Sequence, residues 1–155
     1  YRFLTQMKQN HNKKLDASAW DDIIQKDTLY LCKGQQYEIA LRAKDVIHSA
    51  YFPHFRAQMN AVPGMATRMK FTPNKTTAEM REEKNDATFN YILMCNKICG
   101  GAHYKMKMVV VVLDKPAYNR WMAGKKSQTF KDQYFPVAAA PATPAPADTT
   151  AVTMN

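Results

Sequence analysis

Apolar positions along the chain fall into short alternating runs, a period that predicts strands in preference to long helices. Thr28 to Cys32 and Gln36 to Ala43 are the first two runs, and Lys33-Gly34 between them reads as the turn of a hairpin. Asp45 to Pro63 reads as loop and strand punctuated by Pro53, with Phe52, Phe55, Met59 and Val62 available for a core. Arg68 to Pro73 predicts a further strand. Phe89 to Met94 and Lys107 to Leu113 complete the set, the second being an unbroken apolar run of the kind that a buried strand carries. Two short helices are expected between and after them. Thr76 to Lys84 opens on a Thr76 cap with Glu79 at the capping-box position and ends at Asn85-Asp86. The other follows Asp114 as cap, with Pro116 in its first turn, Tyr118, Trp121 and Met122 on its inner side, and Gly124 as its stop.

Together these runs predict an all-β fold, a small antiparallel Greek-key sandwich or barrel with a short added helix and a C-terminal helix. That domain occupies residues 28–124 and is large enough for one core. Residues 1–27 form a polar, basic opening segment in which Asp16 would cap a short helix packed through Trp20, Ile23 and Ile24, and in which His11 reads as an exposed histidine. Residues 125–136 are a connector. Residues 137–155 are mostly Ala, Pro and Thr, cannot bury enough apolar surface to order themselves, and are expected to be disordered.

Charge changes this picture little. The 22 Lys and Arg outnumber the 13 Asp and Glu in 155 residues, for a net +9, which would ordinarily raise nucleic acid as a partner. The cations are scattered, however, and no nucleic-acid motif is present, so a solvated basic surface is expected and nucleic acid is not. No secretory signal and no apolar run of bilayer length occurs.

Candidate chemistry is concentrated in one loop. Cys95 and Cys99, then Gly100-Gly101, His103 and Met106 place thiols, imidazole and thioether within a few residues of one another, directly ahead of the valine strand. Thiolate and thioether select copper(I), imidazole suits either oxidation state, and the set is poor chemistry for magnesium or calcium. A further ligand must come from elsewhere, and His48 is the best placed, following the alternating run Tyr37 to Leu41 that would end a strand beside the loop. Alone, His48 would read as a satisfied histidine at a strand end. His54 reads as an exposed or core histidine, Cys32 as a small buried hydrophobe, and Trp20 and Trp121 as packing residues.

His48, the Pro63-Gly64 step and Cys95-x3-Cys99-Gly100-x2-His103-x2-Met106 resemble the CuA domain of cytochrome c oxidase subunit II over roughly Leu29 to Met122. The resemblance implies a cupredoxin fold and a dinuclear copper centre. In it, Cys95 and Cys99 bridge the metals, His48 and His103 terminate them, and Met106 and the Lys97 carbonyl add weak axial donors. It also implies electron transfer from cytochrome c, or from a haem domain of a partner complex, to haem in catalytic subunit I of an oxygen-reducing oxidase. No C-x-x-C-H occurs, so haem belongs to the partners. The implied location is the extracytoplasmic, periplasmic face of a bacterial inner membrane, held by a transmembrane hairpin not in this sequence, the chain reading as a soluble portion of a longer protein. Lys97 departs from the glutamate common in relatives, which leaves the associated magnesium contact in doubt, and Asn60 and Met65 stand where acidic and basic residues are usual. Asp45 resembles a carboxylate near the cytochrome-docking face. A chain this basic would repel a basic cytochrome, so an acidic or largely apolar partner is expected.

Other readings of the same residues stand beside this one. A mononuclear copper protein would use His48, Cys99, His103 and Met106 and leave Cys95 idle. A copper chaperone of the thioredoxin-like class also uses two cysteines four apart with a distant histidine, but expects proline where Gly100 stands. Structural zinc would take two cysteines and two histidines and give Met106 no task. A Cys95–Cys99 disulfide would abolish metal binding. The CuA domain of nitrous oxide reductase has a similar loop.

Overall fold

The computed structural model describes Ile23, Gln25, residues 27–125 and Thr129. The helix expected at Asp16, His11 and the 137–155 tail expected to be disordered lie outside the described residues, as does most of the 125–136 connector. Among the described residues, seven strands form two sheets: β1 (Thr28–Cys32), β2 (Tyr37–Leu41), β3 (His48–Phe52), β4 (Ala57–Ala61), β5 (Thr67–Phe71), β6 (Tyr91–Cys95) and β7 (Lys107–Leu113). Helix α1 (Thr77–Lys84) lies between β5 and β6, and α2 (Lys115–Lys125) follows β7. The larger sheet has the order β1-β7-β6-β3-β4, and β2 pairs with β5 in the smaller one.

The two sheets close on one another because each strand alternates. Leu29 and Leu31 of β1 stand opposite Val110 and Val112 of β7, and Tyr91 and Leu93 of β6 opposite Val110 and Met108, all on the inner face and all buried. Ala50 and Phe52 continue that face on β3. From the smaller sheet, Met69 and Leu41 join the same core, and Phe71 reaches the Phe52 ring at 5.0 Å and the Phe55 ring at 5.2 Å. The outer face of the smaller sheet carries Glu38, bonded to Arg68 at 2.8 Å and Lys70 at 3.1 Å. Its period of two thus puts the charges in water and the aromatics inside.

Three expectations are corrected. Lys33-Gly34 is a turn, with Gly34 at φ +76, but it does not close a hairpin. It moves the chain from one sheet to the other, β1 pairing with β7 and β2 with β5. The sandwich is consequently not wholly antiparallel, since β1 runs parallel to β7. The Tyr37–Leu41 run therefore lies in the smaller sheet, while His48 opens β3 of the larger. Gly124 does not stop α2, which continues to Lys125. The caps behave as their side chains dictate: Thr76 accepts from the Glu79 amide at 3.1 Å while Glu79 accepts from the Thr76 amide at 2.8 Å, and Asp114 accepts from the Ala117 amide. Trp121 of α2 stacks on Tyr30 at 4.8 Å, covering the outer face of β1.

Candidate metal centre

Strand pairing brings the two parts of the site together. β3 and β6 are antiparallel with Ala50 opposite Cys95. Residues two apart share a face, so His48 and Cys95 both look from the inner face of the sheet at its end. The loop from Asn96 to Met106 is closed at its base by the Cys95 amide, which donates to the Met106 carbonyl at 3.0 Å. Gly100 makes the turn at φ +127, a conformation closed to other residues without strain. The His103 amide donates to the Gly100 carbonyl at 3.0 Å, starting a single helical turn over His103–Lys105 that ends at Met106.

All six residues singled out in the sequence converge here. Cys95 Sγ lies 3.3 Å from the Lys97 carbonyl oxygen and 3.8 Å from Cys99 Sγ. Cys99 Sγ lies 3.5 Å from His103 Nδ1 and 3.2 Å from Met106 Sδ. His48 supplies a donor atom within 4.8 Å of both thiols. His54 is not among them; its ring packs against Phe89 and Tyr91. Cys32 is buried and apart, its amide donating to Tyr37 Oη.

Asp45 is the residue whose part here the sequence alone did not disclose. Its carboxylate accepts from His48 Nε2 at 2.8 Å, while His48 Nδ1 is buried with no hydrogen-bond partner. The spacing of three residues was visible, but the loop conformation that turns Asp45 back onto the ring was not. With Nε2 carrying the proton, Nδ1 keeps its lone pair, and an unpartnered buried nitrogen facing two thiols fits a metal. Burial opposes protonation of His48, yet its bond to Asp45 and the nearby Cys95 thiol raise its pKa, and His48 in turn holds Asp45 below the usual carboxylate range. Burial pushes the Cys95 thiol up, but hydrogen bonds with the backbone at Ser49 and Lys97 and with Cys99 and His103 outweigh it and bring it to about 7. Cys99 is pushed up by burial and by the neighbouring Cys95. The donor set of two thiols, two imidazoles, a thioether and a carbonyl is that of a soft-metal site, and it fits copper.

No protein-family model matches the chain. Among curated proteins, it is 35% identical over 113 residues to the alternative cytochrome c oxidase subunit 2 of Bradyrhizobium diazoefficiens, covering 72% of this chain and 36% of that protein. It is 32% identical over 94 residues to cytochrome c oxidase subunit 2 of Thermostichus vulcanus, covering 60% of this chain and 24% of that one. The chain thus spans about a third or less of the relatives it matches. Among solved structures, the periplasmic domain of cytochrome oxidase subunit II from Bradyrhizobium japonicum shares the fold, with a TM-score of 0.55 and 19% identity over 67% of each chain. A second, with a TM-score of 0.51 and 18% identity over 67% of this chain and 69% of that one, is subunit II captured in a mixed disulfide with a thioredoxin-like protein. By sequence and by fold, the described domain belongs with the cupredoxin-like CuA domain of cytochrome c oxidase subunit II.

Proposed function

We propose that this chain is the electron-transfer subunit of a terminal haem-copper oxidase, and that it holds a dinuclear copper centre. Cys95, Cys99, His48 and His103, with Met106 and the Lys97 carbonyl beside them, would hold it. The observation that carries this reading is the convergence of two thiols, 3.8 Å apart, with a ring nitrogen of His48 within 4.8 Å of both, while its buried Nδ1 has no hydrogen-bond partner. When bound, the copper pair supplies a one-electron carrier whose charge change is shared between two metals.

The chain's own residues do the rest. Asp45 fixes the His48 tautomer, β6 and β7 anchor both ends of the loop, and Gly100 gives it the turn that returns His103 to Cys99. A site held by its scaffold moves little when its charge changes. The electron enters from cytochrome c or a haem-carrying partner complex and leaves for haem in catalytic subunit I, where oxygen is reduced. The likeness to a periplasmic domain of an oxidase subunit II supports an extracytoplasmic location, as part of a membrane complex. Among the described residues no helix is long and apolar enough to cross a membrane. Lys97 offers a carbonyl and an ammonium where a magnesium contact would need a carboxylate, so no magnesium is proposed through it. The thiols must be reduced before metal enters, which suits a thioredoxin-like reductant of the kind bound to the second structural neighbour.

Cys99 alone contacts both His103 and Met106, the arrangement that a mononuclear site would use. Copper content of Cys95→Ser separates the two. The dinuclear reading expects loss of the pair with at most one metal retained weakly, whereas full retention of the wild-type copper and its absorption spectrum would leave Cys95 idle and return the site to mononuclear copper.

A further inference from the structure

The ligand loops end in an exposed apolar surface. Ile98, between the two thiols, is 91% exposed, and Tyr104, beside His103, is 77% exposed. Val46 and Ile47, the residues before His48, are 44% and 42% exposed. The convergence of Cys95, Cys99, His103 and His48 brings the chain segments that carry these residues to the same end of the sandwich. Nothing in the core needs them there. Large apolar side chains kept in water next to a functional site mark a contact surface.

Charge around this patch is predominantly positive. Lys44, Lys97, Lys105 and Lys107 are exposed beside it, with Lys105 Nζ lying over the Tyr104 ring at 5.5 Å. No carboxylate among the described residues lies within ion-pair distance of any of them. The one carboxylate in these loops, Asp45, is engaged by His48. The carboxylates of α1 are at the opposite end. β6 runs from Tyr91 to Cys95, and it is the Tyr91 end that bonds Lys75 and lies by Arg81. Glu79 and Glu83 there pair with Lys33 and Lys75. The net positive charge of the chain is therefore unbalanced where the copper ligands are and balanced at the far end.

We propose that this end of the domain docks an acidic redox protein, whose carboxylates surround an apolar patch over its own redox group. Its rim meets Lys44, Lys97, Lys105 and Lys107, and its centre packs on Val46, Ile47, Ile98 and Tyr104. This rests on the electron-transfer reading of the site: the partner loses one electron, the site gains it, and no bond is made or broken. The sign of the rim selects the partner chiefly through the association rate, because opposite potentials steer encounter and like potentials suppress it. A basic cytochrome is rejected by the same lysines.

The test uses the metal-free chain, so that it reads docking independently of copper. An acidic small c-type cytochrome and a basic one are each titrated into it at low salt, with binding followed by calorimetry and by NMR shifts. The acidic protein is expected to bind, with shifts at Val46, Ile47, Ile98 and Tyr104. Its affinity should fall roughly tenfold in the Lys44→Glu, Lys105→Glu double variant and on raising the salt to suppress the steering field. Lys84→Glu, at the far end, should leave it unchanged. Preference for the basic cytochrome, an unchanged affinity in the double variant, or binding of neither protein would overturn the proposal. So would binding of anionic lipid vesicles through the same lysines in place of either protein. Loss of the dinuclear centre with docking intact would instead count against the copper reading alone.

Discussion

Asp45 holds the Nε2 edge of His48 at 2.8 Å and leaves Nδ1 pointing at the thiols without a partner. Asp45 is itself exposed, so removing its side chain should alter the ring and not the fold. Asp45→Ala is expected to weaken copper binding roughly 10–100-fold, the usual cost of removing the partner of a ligating histidine, with an unchanged thermal transition of the metal-free protein. Competition against a chelator measures it. The same residues set a pH dependence. Cys95, at about 7, must lose its proton to bind a metal, and His48, whose pKa is raised, must lose its own. As pH falls through about 7 the Cys95 proton increasingly competes with copper, and the raised His48 adds to that competition, so the apparent affinity declines on the acid side and proton release on binding grows. Calorimetry in buffers of different ionisation enthalpy reads that release, and an affinity flat across neutrality would contradict it.

Local signals in the sequence carried most of the elements. The reciprocal Thr76–Glu79 cap of α1 depends on residues three apart, and the structure forms both of its bonds. Thr76→Ala should cost about 1 kcal/mol in chemical denaturation, without changing the copper content. The strand limits of β1 and β7 were similarly legible, because alternation and an apolar run are properties of the strand itself. Pairing was not. A Lys33-Gly34 turn serves equally to fold a hairpin or to cross between sheets, and the choice is made by Leu29 and Leu31 finding Val110 and Val112 far along the chain. Gly124 misled because a glycine late in a helical pattern marks a stop only where the next residues leave the helix, and here Lys125 remains in it. At the site, thiol spacing and the positions of His103 and Met106 could be read from one loop. The Asp45–His48 pair could not, since it exists only once the loop before β3 has turned back on itself.

On the scale of the whole molecule, the core and the candidate centre share a scaffold. β3, β6 and β7 carry the buried residues Phe52, Leu93 and Val110 on the same inner face from which His48 and Cys95 look out at the end of the sheet. The sandwich therefore determines the distance between His48 and the cysteine loop before any metal arrives, as a centre with small structural change between oxidation states requires. The charge is arranged along the same axis, with lysines that have no ion-pair partner among the described residues at the ligand end and ion pairs around α1 at the other. On the proposed reading, the six converging residues would hold two coppers that share one unpaired electron. Copper stoichiometry together with the electron paramagnetic resonance spectrum of the copper-loaded chain tests it most directly. Two coppers per chain are expected, with hyperfine coupling spread over both nuclei. One copper per chain, with splitting from a single nucleus, would contradict it.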